Sequence, residues 1–199
     1  MNKKEDEKTF SSRYNIKWVF LISIWTFFMS GTISIITGNL VNNLDILMAF
    51  LVLIIIMLIG IIFDIIGIAV TTAEEKPFHA MAANKVEEAK FCIKLVRSAG
   101  QVSNFCNDVI GDICGIVSGA AGTTIIYKLM SRYDLIDGTV FSIIITSLVA
   151  SLTVGGKAFG KSIALFNYEK IIYGIAKILN FTNKHLGIDI LPNKRKNKK

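Results

Sequence analysis

The 199-residue sequence has little charge, little cysteine and little histidine. Charged residues make up 19% of the chain, against about 25% in an average soluble domain, and hydrophobic residues reach 52%. Its three cysteines show no CxxC or Cys/His spacing, and its two histidines stand far apart. We therefore interpret the cysteines as free, packed thiols. These shortages exclude a disordered chain, a disulfide scaffold and an ordinary soluble enzyme.

Motifs that carry out catalysis are also missing from the sequence. There is no HExxH, no GxSxG and no phosphate-binding loop, and no histidine lies in a long apolar segment. The missing phosphate-binding loop excludes a transport ATPase of the Walker type. We expect no catalytic residues and no enzyme activity.

Four long apolar segments are what the sequence does contain. A helix needs about 20 predominantly apolar residues to cross the hydrocarbon core of a bilayer. The segments that qualify are 18–37, 46–73, 105–127 and 138–156. The first resembles a signal peptide in following a basic N-terminus, but its apolar core exceeds the usual ~7–15 residues, which favours a span. The sequence predicts an all-α membrane protein with four transmembrane helices.

The distribution of basic residues predicts the orientation of these spans. Residues 1–17 carry five Lys or Arg, residues 74–104 carry five and residues 157–199 carry ten, so that 20 of 22 lie on one side. The positive-inside rule assigns that side to the cytoplasm. We expect a multi-pass protein of the plasma (inner) membrane with both termini cytoplasmic. The net charge of +7 is then a topology signal, and no nucleic-acid partner is expected.

Two stretches on the predicted cytoplasmic side are amphipathic. Phe78, Met81, Val86, Ala89 and Ile93 recur at helical spacing among charged residues, and a similar pattern runs over about 161–180. Both are interpreted as helices at the membrane face. The predicted organisation is a cytoplasmic segment at 1–17, a transmembrane domain at 18–160 with a juxtamembrane helix near 77–99, an amphipathic interfacial helix and connector at 161–192, and a basic tail at 193–199. The tail is expected to set topology and touch anionic lipid, with a specific membrane partner as the alternative.

Four ionisable residues in or beside the spans could carry chemistry. Asp64, Asp108, Asp112 and Lys157 should face protein, water or an ion, because a charge in the hydrocarbon costs ~2.5–3.5 kcal/mol. Asp108 and Asp112 are four residues apart and share one helix face, where their charges repel unless something lies between them. Carboxylate oxygens suit a hard cation such as Mg²⁺. The alternative is that Lys157 pairs with one aspartate and the others lie hydrated at the interface.

Glycines recur every four residues in the third and fourth apolar segments. The positions are Gly111, Gly115 and Gly119, followed by Gly156 and Gly160. This small-xxx-small spacing lets helix backbones approach closely in lipid. It predicts a packing interface, either within the chain or in a homodimer. Carbonyl oxygens freed at a bend, which a cation can use, are the alternative role of these glycines.

Residues 62–164 resemble the transmembrane domain of the cyclin M/CorC family of magnesium transport proteins. The resemblance rests on an amphipathic helix after the first family span, on Ile110-Gly111-Asp112-Ile113, which is similar to an Ile-Gly-Asn-Asn element, and on residues 156–161, which occupy the place of a Gly-Glu-x-x-Pro-Lys element. The resemblance implies a Mg²⁺ site at Asp64, Asp112 and Lys157. Each position differs in type from the family, and the family's cystathionine-synthase-type regulatory domains are not recognised here.

Two functions follow from this pattern. The first is transport or efflux of magnesium or another divalent cation, with Asp64, Asp108 and Asp112 attracting the ion and Lys157 tuning or blocking the site. The second is a non-transporting membrane scaffold or accessory subunit, in which Lys157 pairs with the aspartates in place of a metal. Both include the lipid bilayer and a homodimer as expected partners.

Overall fold

The computed structural model describes residues 16–133 and 138–186, and their regular structure is entirely helical. The helices are α1 (Ile16–Asn43), α2 (Ile46–Thr72), α3 (Lys76–Ala83), α4 (Ala89–Arg97), α5 (Ala99–Ser103), α6 (Asp112–Tyr133) and α7 (Gly138–Leu186), with a π-helical segment (Asn104–Gly111) between α5 and α6. The predicted basic tail and most of the N-terminal segment lie outside the described residues.

Four helical stretches are long and apolar enough to cross a membrane, which confirms the predicted fold class. They span Phe20–Asn43, Ile46–Thr72, Ala99–Arg132 and Thr139–His185. Their outer faces carry many exposed large apolar side chains, among them Phe27, which is 74% exposed. A soluble protein rarely exposes apolar surface on this scale, whereas a lipid environment favours it. The chain therefore has the architecture of a multi-pass membrane protein.

Helix α2 is the centre of the bundle. It packs against α5, the π-helical segment, α6 and α7, whereas α1 packs mainly on α6. One core cluster between α1, α2 and α6 contains Val41, Leu53 and Ile125, all 2% exposed or less. This packing gives α2 one face towards each of the other elements, so a polar residue on α2 can meet groups from several helices.

The juxtamembrane region forms two short helices where the sequence predicted one near 77–99. Helix α3 has Pro77 in its first turn, where the missing N–H is not needed. It ends before Lys85, whose φ of 60° is left-handed and reverses the chain. Helix α4 then buries Phe91, Cys92 and Leu95. Beyond Arg97 the chain continues through α5, which contains Gly100, into the third span.

The fourth span and the predicted interfacial helix after residue 161 both lie in α7, which consists of two helices joined across a kink. Helix α7 runs through both, and its regularity breaks only at Asn167, where φ is −125° and ψ is 21°. Beyond the kink, Ile172 and Ala176 are fully buried against Phe78 and Phe91. The second half of α7 thus anchors α3 and α4 to the bundle by apolar packing.

Candidate functional site

The candidate site lies where α2, α7 and the end of the π-helical segment meet. The ammonium of Lys157 on α7 is 3.9 Å from Oδ1 of Asp64 on α2. The Lys157 side chain is 30% exposed and the Asp64 side chain is 16% exposed, so the pair is partly buried. A carboxylate and an ammonium at this distance attract each other strongly when water is scarce.

Glycines bring the helices close enough for this pair to form. A Cβ placed on Gly111 would lie 3.6 Å from Nζ of Lys157 and 3.9 Å from Oδ1 of Asp64. On α7, a Cβ at Gly156 would lie 2.4 Å from Cδ1 of Ile61, and one at Gly160 would lie 2.8 Å from Cγ1 of Ile65. The missing side chains at Gly156 and Gly160 therefore let α7 approach α2 beside the ion pair, whereas a Cβ at Gly111 would make only ordinary van der Waals contacts.

Asn107 is a residue of this junction that the sequence did not single out. Its Nδ2 donates a hydrogen bond to Oγ of Ser103 at 3.2 Å, while its Oδ1 is buried and accepts no hydrogen bond from the described residues. That oxygen lies against Gly67 of α2, where an added Cβ would come within 1.9 Å of it. An unpaired buried amide oxygen is costly, and so marks a place where a donor or a cation would be stabilised.

Asn107 was missed because the third span offers two sets of residues with the same four-residue spacing. The helix face expected from the sequence carries Asp108 and Asp112, whereas the structure turns Asn107 and Gly111 towards α2. A π-helix has a wider turn than an α-helix and often occurs at functional sites. Ser103, Asn107 and Gly111 are also four residues apart, so spacing alone did not distinguish the inward stripe from the outward one.

The three aspartates predicted to bind one cation are not gathered in this structure. Asp108 and Asp112 are exposed on the outer side of the third span, and Asp64 is directed to Lys157. Over residues 16–133 and 138–186, no three Asp, Glu, His or Cys side chains are grouped so that they could hold a metal ion. The predicted ligand set therefore does not match this geometry, because α2 and the third span present their carboxylates to different sides.

Two of the predicted packing glycines face open space within the chain. A Cβ at Gly115 or Gly119 would have no neighbour within 4 Å. Both line an open groove of about 240 Å³ between α6 and α7, together with Gly122, Ala150 and Val154. A Cβ at Gly111 would make only ordinary contacts, so close packing within the chain is seen at Gly156 and Gly160. It also occurs at Gly60, which the sequence did not single out and where a Cβ would come within 2.9 Å of Cβ of Cys114.

Ion pairs hold the juxtamembrane helices in place. Arg97 donates hydrogen bonds to both carboxylate oxygens of Glu75, and these bonds, with one from His79, lower the pKa of Glu75. Lys184 near the end of α7 donates to Glu87, and this bond lowers the pKa of Glu87. In α4, burial raises the pKa of the Cys92 thiol to about 11, which makes this thiol unreactive at neutral pH.

Comparison of the chain with protein-family models, with curated proteins and with solved structures finds no match. The class of multi-pass membrane protein consequently rests on the four apolar helices, and the resemblance to the magnesium transport family stays a prediction.

Proposed function

We propose that the chain is a non-transporting membrane scaffold or accessory subunit, in which the Lys157–Asp64 ion pair joins the spans. The observation that carries the proposal is the position of the Lys157 ammonium, 3.9 Å from Asp64 and against Gly111. A permanent cation there neutralises the carboxylate that a metal ion would otherwise need. Since like charges repel, a bound lysine also opposes entry of a divalent cation.

The energetic argument agrees with a structural role. A lone carboxylate or ammonium within a span costs ~2.5–3.5 kcal/mol, and pairing the two offsets part of that cost. Both partners come from different helices, far apart in sequence, so the pair favours one arrangement of α2 and α7. Charged pairs can specify an arrangement in this way even when their net contribution to stability is small.

Cation transport is the second candidate, and a specific observation favours it. The unpaired Oδ1 of Asn107 lies on Gly67, three residues and so about one turn from Asp64 on the same face of α2. A carboxylate and an amide oxygen are ligands that Mg²⁺ or Ca²⁺ accepts. If Lys157 moved aside, this junction would offer oxygen ligands to a cation.

Thermal stability against a series of cations separates the two candidates. The detergent-purified chain and a Lys157→Glu variant are heated with Mg²⁺, Mn²⁺, Ca²⁺ or Na⁺, and Lys170→Glu on the exposed surface of α7 is the control for equal charge change. A ligand at 100 times its Kd adds about 2.7 kcal/mol to the native state. We expect no selective effect in the unaltered chain and in Lys170→Glu, and stabilisation by a divalent ion only in Lys157→Glu.

Selective stabilisation of the unaltered chain by one divalent ion would contradict the scaffold function and support transport. Absence of an effect in all three proteins would instead exclude the cation site. Flux of Mg²⁺ into proteoliposomes is the direct complement, and the scaffold function predicts the same flux as in liposomes without protein.

A further inference from the structure

The exposed side of the third span carries two carboxylates, those of Asp108 and Asp112. Neither forms an ion pair with a side chain of residues 20–132 or 139–185. Gly115 and Gly119 follow Asp112 by three and seven residues, so they share its helix face. Carboxylates within spans almost always pair, line water or face protein. Within the part of the chain that the structure describes, a single copy gives this face no such partner.

The neighbouring helix α7 offers the opposite charge beside the same groove. Lys161 is exposed and makes no ion pair within the described part of the chain. It lies seven residues beyond Val154, which lines the groove together with Gly115 and Gly119. Residues seven apart lie on one face of a helix. The groove therefore has an acidic border on the α6 side and a basic border on the α7 side.

The two borders lie at the same height in the bundle. The Cβ position of Gly111 is 3.6 Å from Nζ of Lys157, which places these two residues level with each other. The third and fourth spans run in opposite directions. Asp108, three residues before Gly111, and Lys161, four residues after Lys157, are therefore both about one turn nearer the end where α3 and α4 lie.

We propose that the groove between α6 and α7 is the interface between two copies of this chain. With the two-fold axis along the membrane normal, α6 of each copy faces α7 of the other, and Asp108 of each meets Lys161 of the other at equal height. Such an isologous interface makes every contact twice. Gly115 and Gly119 leave room for the backbones to approach, which drives helix association in lipid. The proposal uses neither Lys157 nor Asp64, and is independent of the proposed function.

Cross-linking in membranes tests the interface. Gly119→Cys and Ala150→Cys are made in separate chains whose three natural cysteines are replaced by alanine, because α6 of one copy faces α7 of the other and both positions line the groove. The new side chain at position 119 fits because nothing lies within 4 Å of its Cβ position. The two chains are produced together in one membrane. In the matched control Gly155→Cys replaces Ala150→Cys, since Gly155 lies on another side of α7, two residues from Lys157. On mild oxidation we expect Gly119→Cys with Ala150→Cys, and not Gly119→Cys with Gly155→Cys, to give a band at twice the 22.0 kDa chain mass. No such band, or equal bands from both, would overturn the proposal.

Charge reversal supplies a test that keeps the natural cysteines. Asp108→Lys should weaken dimerisation at least about tenfold, measured by energy transfer between labelled copies in vesicles, because it sets two like charges together at the interface. Adding Lys161→Asp to the same chain should restore dimerisation, because the acidic and basic positions are then exchanged and attract each other again. Circular dichroism checks that each variant keeps its helices. Unchanged dimerisation in Asp108→Lys, or a monomeric unaltered chain at every protein-to-lipid ratio, would refute the second copy as the occupant.

Discussion

Replacing one residue of the Lys157–Asp64 pair should lower the free energy of unfolding by more than half of what replacing both residues does. The reason is that the remaining charge is left unpaired. At 3.9 Å and an effective dielectric constant near 20, the attraction is about 4 kcal/mol. Breaking a fully buried pair costs roughly 3–5 kcal/mol. Here the Lys157 side chain is 30% exposed and the Asp64 side chain 16%, so the pair is only partly buried and breaking it should cost less. We expect about 2 kcal/mol for Lys157→Met, and a similar loss for Asp64→Asn.

The double variant measures the coupling between the two residues. If the two residues interact, the double variant with Lys157→Met and Asp64→Asn loses about 1 kcal/mol less than the sum of the two single losses. In the double variant neither charge is left without its partner. Interhelical polar pairs in membrane proteins reach at most ~1.7 kcal/mol in such cycles. The free energy of unfolding is obtained from reversible unfolding of the detergent-solubilised protein with increasing denaturing detergent.

The matched control is Lys170→Met, which removes an equal charge from the exposed side of α7 and should stay within about 0.5 kcal/mol of the unaltered chain. Independent residues give losses that add within about 0.3–0.5 kcal/mol. Additive losses for Lys157→Met and Asp64→Asn would therefore refute the ion pair as a link between α2 and α7.

Two further predictions concern packing and pH. Gly60→Ala places a Cβ 2.9 Å from Cβ of Cys114, an atom that cannot move away as the end of a side chain could, so this variant should be destabilised by about 1–3 kcal/mol. The control is Gly155→Ala, which has open space around it and should be neutral or stabilised by up to ~1 kcal/mol. Equal melting temperatures for the two variants would contradict the packing argument. Because the pKa of Glu87 is lowered in the folded state, its contribution to stability is complete above its ordinary value of 4.5 and is lost as pH falls through the lowered value. Melting temperatures between about pH 6 and pH 3.5 should thus fall less in Glu87→Gln than in Glu169→Gln, and identical pH profiles would show that the Glu87–Lys184 pair contributes nothing.

The four spans were predictable from sequence because hydropathy is a sum over about 20 residues and needs no knowledge of neighbours. The boundaries within the juxtamembrane region were less so. The structure interrupts the predicted helix over residues 84–88, where Lys85 has a left-handed backbone. Nothing in the apolar periodicity identifies the position of such an interruption.

The composition of the candidate site was also visible in the sequence, since Asp64 and Lys157 stand out as charges in or beside apolar segments. Which carboxylate Lys157 would meet was decided by the tertiary structure. The rotation of each helix about its axis depends on where neighbouring helices pack closely, here at Gly60 against Cys114 and at Gly156 against Ile61. That rotation directs Asp64 inwards and leaves Asp112 outside.

The sequence by itself thus determined the class of the protein and the residues able to carry chemistry, because charge and hydropathy are properties of single residues and short windows. Only the tertiary structure decided that Asn107 joins the junction and that Gly115 and Gly119 border an open groove. The physical reason is that a π-helical turn and close glycine contacts change the angle at which a side chain leaves its helix, and this angle depends on the helices packed around it.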